Sequence, residues 1–513
     1  MVAAKFRHAC IATPHHLASD AGASVLASGG NALDAAVAAN LVLGVVTPYL
    51  CGFGGDLFAM IWRDGIEGYN GSGRAPAAAS PESIRRATGA AEMPIRGVHS
   101  VTVPGAVEAW FRLLERFGTR SFAELATPAL SYARQGFEVS ARAAVSFANA
   151  RAVYGVESAW EGAYADATEG TTLRQEGLAR TIETLSNAGA SVYYQGPIAD
   201  AIVRTLQSDG SVMTKSDLAQ HSGAWVRPMS LAYHGFEVLE MPPNTQGVSA
   251  FEALGIADEI RVSDVRGTNR HHLMIEAVKV ALSDRAEYVG DPAAMPVAGE
   301  RLIDREFLRA RASTIDPNRA GAPMPGRAFP GGTAYLCATD AGGMCVSLIQ
   351  SNFMGFGSGV HVEDWGINLH NRGGRFSLDP SQVDSIGPRK LPLHTLIPGF
   401  VLREGKPWLV FGTMGGDGQL QTQLQLLTQI LDDGADPQDA IDAPRWFVDP
   451  SDWTVFAEPG LGENITGLAA MGHNVRTVEP FDSLMGHAHA IAIGPEGYAG
   501  ATDPRAEGAV RGI

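Results

Sequence analysis

Apolar positions along this chain fall into two textures. In the first third they recur at helical spacing: ASDAGASVLASGGNALDAAVAANLVLGVV predicts two helices broken at Gly29-Gly30, with alanine-rich faces suited to close packing. Between about 104 and 290 the pattern stays mostly helical, as in PGAVEAWFRLLERFG and HHLMIEAVKVALSDRAEYVGD. From 333 onward short alternating runs take over (TAYLCATD, MCVSLIQS, WLVFGTM, AHAIAIG), joined by glycine-rich turns, with one clear helix in QLQTQLQLLTQILDDG. The connecting segment 312–332, containing STIDPNRAGAPMPGRAFPGG, has no period, and such a stretch in a compact protein is expected to be exposed or functional. Early helices and late strands predict helices layered on stacked sheets. No internal repeat is present.

Composition narrows the function classes. With 45% hydrophobic and 18% charged residues over 513 positions, the chain can bury a large core. A net charge of −16 and the absence of any Lys/Arg cluster argue against nucleic acid and anionic membranes as partners. The start, MVAAKFRHACIATPHHLASDAG, lacks the apolar core of an export signal, so the cytoplasm is the expected compartment. The most apolar window, ALDAAVAANLVLGVVTPYL, carries Asp34 and Asn40, which favours a buried helix over a membrane span. Four cysteines (Cys10, Cys51, Cys337, Cys345) with no CxxC pair support neither a disulfide framework nor a zinc site, and are expected in the core.

The candidate chemistry lies where the textures meet, in FPGGTAYLCATD at 329–340. A Pro-Gly-Gly turn runs into a strand whose first residue is Thr333. If the Gly332–Thr333 bond is cut, that threonine gains a free α-amine of reference pKa about 7.7–8, able to act as base for its own hydroxyl. The cut needs no second agent. The hydroxyl can attack the preceding carbonyl to give an ester that water opens, and Gly332 removes side-chain obstruction. Locally, a threonine opening an ordinary strand fits as well.

Ten segments in order supply the wider context: GGNALDAAVAANLVLGVVTPYLCGFGGDLFAMIW, SGRAP (72–76), VTVPGA (101–106), SDRAEYVGDP (283–292), GTAYLCATDAGG, GFGSGV (355–360), LIPGFV (396–401), GTMGGDGQLQ (412–421), DAPRW (442–446) and ATDPR (501–505). Together they resemble the gamma-glutamyltransferase (glutathione hydrolase) family of self-processing N-terminal nucleophile enzymes. The resemblance implies an α+β, four-layer αββα fold, cut into 1–332 and 333–513 that stay together as one structural unit. Thr333 falls at the family's nucleophile, Ser351 at a hydroxyl residue supporting it, and Gly415-Gly416 at the pair whose backbone N–H groups form the oxyanion hole.

The chain departs from the family where the substrate's α-carboxylate and α-ammonium are held. Ser72 stands at the position of the carboxylate-binding arginine, with Arg74 two residues later; His394 and Thr395 replace two serines, and Phe353 an asparagine. Arg375 stands where an acid holds the ammonium. At about 4 Å and an effective dielectric near 20, that exchange turns roughly 4 kcal/mol of attraction into a similar repulsion. Arg372, Arg375 and Arg74 suit an anion instead, because arginine pairs bidentately with carboxylate. The pattern resembles the branch that includes oxamate amidohydrolase.

Other motifs carry less. His272 and Glu276 are four apart on a helix without HExxH, which reads as a solvated face. His487 and His489 read as packing residues. GFGGDL and GFGSGV miss the last glycine of GxGxxG, and the GxSxG of a nucleophile elbow is absent. The expectation is therefore a cofactor-free threonine amidohydrolase acting on the amide of a small carboxylate-bearing acid, a heterodimer of its own subunits or a dimer of these. Two alternatives stand beside it: a genuine gamma-glutamyl hydrolase or transferase, and an uncleaved, inactive binding protein.

Overall fold

The computed structural model describes residues 3–155, 158–329 and 331–513; Pro330, the first residue of the expected Pro-Gly-Gly turn, lies outside the described residues. Fourteen strands build two sheets. They are β1 (Ala4–Phe6), β2 (Cys10–Thr13), β3 (Asp56–Trp62), β4 (Ile66–Gly71), β5 (Ala224–Val226), β6 (Met229–Tyr233) and β7 (Phe236–Glu240). After the connecting segment come β8 (Gly332–Thr339), β9 (Cys345–Phe353), β10 (Gly399–Arg403), β11 (Lys406–Thr413), β12 (Ala488–Gly494), β13 (Gly497–Thr502) and β14 (Ala509–Gly512). One sheet runs β14-β2-β8-β9-β3-β4-β5 and the other β1-β13-β12-β11-β10-β7-β6, each with seven strands.

Strand alternation explains the layers. Along β8, Ala334, Leu336 and Ala338 face one cluster while Tyr335 and Cys337 face another. The first cluster is shared with helices α1 (His16–Ala27) and α2 (Ala32–Val46); the second, with Phe58, Met60, Phe400 and Val410, fills the space between the sheets. On the outer face of the second sheet, Val401, Leu409 and Phe411 pack with α3 (Gly247–Glu259), α4 (Gly267–Tyr288) and α5 (Gln419–Leu427). A strand with apolar residues on both faces needs cover on both, and the helices supply it. The expected αββα stack is the result.

The break at Gly29-Gly30 is real: Gly29 has φ +85°, and α2 begins at an Asn31 capping box with Asp34. The mostly helical reading of 104–290 overlooks the hairpin β6–β7, whose two-residue loop is His234-Gly235. Both loop residues have positive φ, the turn that matches strand twist. The solvated-face reading of His272 and Glu276 is also corrected, because α4 is buried along this side and both residues are 3% exposed or less.

Candidate active site

The pairing of β8 with β9 slips at its start. Gly332 lies opposite Phe353 while Ala334 lies opposite Gln350, so the single Thr333 faces two residues, Ser351 and Asn352, and the extra residue is accommodated in a bulge on β9. The bulge brings three groups into line. Thr333 Oγ1 donates to Ser351 Oγ at 3.2 Å, and Ser351 Oγ donates to the carbonyl oxygen of Gly332 at 2.6 Å. Ser351 Oγ also accepts the Phe353 N–H at 2.7 Å, and Phe353 holds φ +77°, a strained setting for an aromatic residue. The hydroxyl that could attack, the carbonyl it would attack and a donor on that carbonyl oxygen thus sit together.

The glycine pair closes this site from the other sheet. Gly415 and Gly416 have φ +139° and +57°, and a Cβ on Gly416 would lie 2.5 Å from the Phe329 carbonyl oxygen and 2.8 Å from the Gly331 nitrogen. Only glycine permits that approach of two backbones. Behind the pair, Gln246 donates to the Gly416 carbonyl and the Thr395 carbonyl, both at 3.0 Å. Arg285 donates to Gln246 and pairs with Asp417 at 2.8 Å. Asp417 Oδ2 in turn accepts the Phe329 N–H at 2.8 Å. Burial draws the Arg285 guanidinium down to about 10, against the pull of Asp417.

A charged group lines the rest. Arg372 Nη1 reaches Thr395 Oγ1 at 3.5 Å and its guanidinium lies 4.0 Å from the Phe353 ring centroid. Burial lowers Arg372 to about 9, with Asp56 opposing and Arg375 adding to the shift. Arg375 donates to the Arg327 carbonyl at 3.4 Å and covers the Phe329 ring at 4.5 Å. Asp56 is the cross-strand partner of Ser351; its Oδ1 accepts the Gly105 and Gly73 N–H groups at 3.0 and 3.3 Å, and its Oδ2 is 3.1 Å from His394 Nε2. Burial raises the Asp56 carboxyl to about 7, whereas it pushes His394 well below the ordinary histidine value, with Arg372 adding to that shift. His394 is therefore a neutral imidazole beside Asp56 and not half of an ion pair.

Ten of the twelve residues singled out in the sequence, Thr333, Gly332, Ser351, Phe353, Arg372, Arg375, His394, Thr395, Gly415 and Gly416, fall in this connected region. Ser72 joins it indirectly, through Asn70 and Asn244, whose carbonyl accepts the His394 N–H at 2.7 Å. Arg74 does not join it: its side chain is 53% exposed and donates to the Arg389 carbonyl. Sequence reasoning missed Asp56, Gln246, Arg285 and Asp417 as members, although Asp56 directly follows GFGG and Asp417 directly follows the glycine pair. A cleft of about 260 Å³ lies elsewhere, beside Arg270, Met274 and Gln425, and shares no residue with this cluster. Beside the glycine pair the space is filled by the chain's own Phe329 and Gly331.

Two stacked antiparallel sheets between helical layers, with a hydroxyl residue near the start of an inner strand, define an N-terminal nucleophile hydrolase. The chain belongs to the gamma-glutamyltranspeptidase family of that class, whose family model matches residues 18–513. It is similar to the glutathione hydrolase-like YwrD proenzyme of Bacillus subtilis strain 168, with 37% identity and 98% of each chain covered. It is also similar to the oxamate amidohydrolase proenzyme of Klebsiella pneumoniae, with 34% identity and 98% of each covered. Among solved structures, the cephalosporin acylase of Bacillus halodurans superposes with a TM-score of 0.93 at 35% identity, over 100% of this chain and 97% of that one. The protein is thus an enzyme, a self-processing amidohydrolase. Among the described residues no helix is long and apolar enough to cross a membrane.

Proposed function

We propose that the chain cuts itself between Gly332 and Thr333 and that the freed Thr333 hydrolyses the amide of a small acid bearing a second carboxylate. The observation that carries this reading is the line Thr333 Oγ1, Ser351 Oγ, Gly332 carbonyl oxygen. In maturation Thr333 Oγ attacks the Gly332 carbonyl carbon, the peptide C–N bond breaks to leave an ester and a free Thr333 amine, and water cleaves the ester to a Gly332 carboxylate. Ser351 stabilises the charge that develops on the Gly332 oxygen. Both sheets pair strands from the two sides of the cut, as in β2 with β8 and β7 with β10, so the pieces 1–332 and 333–513 stay together as a heterodimer. Four free, buried cysteines suit a reducing cytoplasm.

In turnover the Thr333 amine takes the proton from Oγ as Oγ attacks the substrate amide. The Gly415 and Gly416 N–H groups hold the resulting oxyanion, and the Thr333 ammonium gives its proton to the departing amine. Water then releases the acid from the threonine ester. This chemistry calls for no cofactor. Arg372 and Arg375 favour an acyl group that carries an anion, the property of oxamate, on which the Klebsiella relative is named to act. A second reading, gamma-glutamyl hydrolysis or transfer, is favoured by one observation: Asp56 adds a buried carboxylate beside Arg372, which could take an α-ammonium.

Purified protein should separate into two bands, the smaller beginning TAYLC on N-terminal sequencing. Thr333→Ala should remain whole and lose all activity, and Thr333→Ser should cut slowly, since it keeps the hydroxyl. Wild-type enzyme should hydrolyse oxamate with higher kcat/KM than gamma-glutamyl-p-nitroanilide or glutathione. A chain that stays intact on long incubation overturns the mechanism and restores the inactive-binder reading. Faster turnover of glutathione than of every anionic amide leaves the mechanism and selects the second reading.

A further inference from the structure

Phe329, four residues before the proposed cut, fills a slot of its own. It is 2% exposed. Arg375 lies 4.5 Å from its ring centroid and Arg327 5.0 Å. Phe353 is the neighbouring ring, at 5.6 Å between centroids and 36° between planes, and it carries Arg372 at 4.0 Å. Arg327 belongs to the connecting segment itself, whereas Arg375, Phe353 and Arg372 belong to the body of the enzyme.

This occupancy is incompatible with turnover. The Phe329 carbonyl and the Gly331 nitrogen lie against Gly416, where a substrate's oxyanion has to be received. For the glycine pair to work, the segment has to move off it, and the slot then loses its ring. What remains is a slot walled by the Arg375 guanidinium that lay over the ring and by Phe353 with its Arg372. At its edge are Arg375 Nε and Arg372 Nη2, buried N–H groups that have no hydrogen-bond partner even with Phe329 in place. A buried donor without a partner is costly and marks a place built for an acceptor.

We propose that the slot vacated by Phe329 is a subsite for a flat aromatic ring on the acyl half of the substrate, with the ring's carboxylate taken by Arg372 and Arg375. The inference rests on the function proposed above and narrows its substrate class to the monoamides of aromatic dicarboxylic acids. A guanidinium is planar, delocalised and weakly hydrated, so it stacks on a π face while its edge pairs with a carboxylate. A saturated ring of the same size and charge offers the carboxylate but no π face. Desolvated, that difference amounts to about tenfold in binding.

The matched probes are phthalamate (2-carbamoylbenzoate) and cis-2-carbamoylcyclohexane-1-carboxylate, with oxamate as the ring-free reference. On cut wild-type enzyme the KM for phthalamate should be about tenfold lower than for the saturated analogue. Arg375→Lys, which keeps the charge and loses the flat face, should still hydrolyse oxamate while that ratio falls below about threefold. Equal KM values in wild type, with the chain cut and oxamate hydrolysed, overturn the slot and leave the proposed function standing. Failure to cut together with failure to hydrolyse any of the three removes both. An independent arm uses the uncut Thr333→Ala protein and calorimetry with phthalate. Thr333→Ala should take up no phthalate because Phe329 fills the slot, and Thr333→Ala/Phe329→Ala should bind it more tightly than cyclohexane-1,2-dicarboxylate. Equal behaviour of the two variants overturns the proposal.

Discussion

Two buried polar clusters hold the segment that leads to Thr333, one upstream and one at the site, and they differ in how fully they are paired. Upstream, His272 binds the Asp316 carbonyl at 2.9 Å through Nε2 and His473 at 2.8 Å through Nδ1. Lys279 donates to Glu276 at 2.8 Å and to the Gly321 carbonyl at 3.0 Å, and Glu276 accepts the Gly321 N–H at 2.9 Å. Burial, with Lys279 beside it, lowers His473 to about 3, which leaves that imidazole neutral beside the Lys279–Glu276 ion pair. The His272, Glu276 and His473 ligand atoms lie within 4.8 Å of one another, metal-like spacing, yet the lysine already supplies the cation. At the site, by contrast, Arg372 Nη2, Arg375 Nε and His394 Nδ1 have no hydrogen-bond partner, and Asp56 Oδ2 meets only His394 Nε2, at 3.1 Å and without hydrogen-bond geometry. A saturated network fixes backbone in place, whereas an unsaturated one is arranged for something that arrives later.

The largest test of this contrast is to break the saturated cluster. Glu276→Ala leaves the Lys279 ammonium buried without its carboxylate, which should cost about 3–5 kcal/mol in chemical denaturation. Glu276→Gln/Lys279→Met, which removes both charges, should recover most of that loss. A loss under about 1 kcal/mol for Glu276→Ala would show that the upstream cluster is no more structural than the site.

Arg375→Met makes the complementary test. Its Nε has no partner and its one hydrogen bond, to the Arg327 carbonyl, is long at 3.4 Å, so the unfolding free energy should stay within about 1 kcal/mol of wild type. The KM for oxamate should nevertheless increase about tenfold, because a charged hydrogen bond to the carboxylate is lost. A stability loss as large as that of Glu276→Ala, with KM unchanged, would class Arg375 with the fixtures.

The sequence makes some of this contrast readable and hides the rest, for a physical reason. Contiguous features are legible: the aperiodic linker, the alternating strand after it, and the Gly415-Gly416 turn into a helix, each set by local backbone chemistry. The hairpin at His234-Gly235 was legible too, since a residue followed by glycine between alternating runs marks such a turn, but the surrounding helical pattern masked it. Partnership across the fold is not local. Nothing near Asp56 reveals that β3 pairs with β9 and sets it beside Ser351, and nothing near Arg285 reveals Asp417, 132 positions on. Arg74 shows the converse: its spacing from Ala75-Pro76 invites a role in the pocket, while the Arg389 carbonyl and solvent claim its side chain.

The smallest expected effect concerns Asp56 and reads the unsaturated cluster through pH. Its carboxyl is raised from 3.8 to about 7, first by burial, with Arg372 and the Gly105 and Gly73 N–H groups opposing. The charged and titratable groups around it are Arg372, His370 and His394, and burial with the nearby guanidinium keeps both histidines neutral throughout this range. Below pH 3.8 the folded and unfolded chains both hold the Asp56 proton. Between 3.8 and about 7 only the folded chain holds it, so this group's contribution to stability falls as pH rises and levels off above about 7. Asp56→Asn has no proton to lose and should lack the decline. Between pH 6 and 8 the variant should therefore gain about 1 kcal/mol on wild type in denaturation, read as the difference in unfolding free energy between the two proteins at each pH so that other titrating groups cancel. A constant difference across that range would mean that Asp56 is ionised throughout, paired with Arg372 as a fixture, and would move it from the unsaturated cluster to the saturated kind.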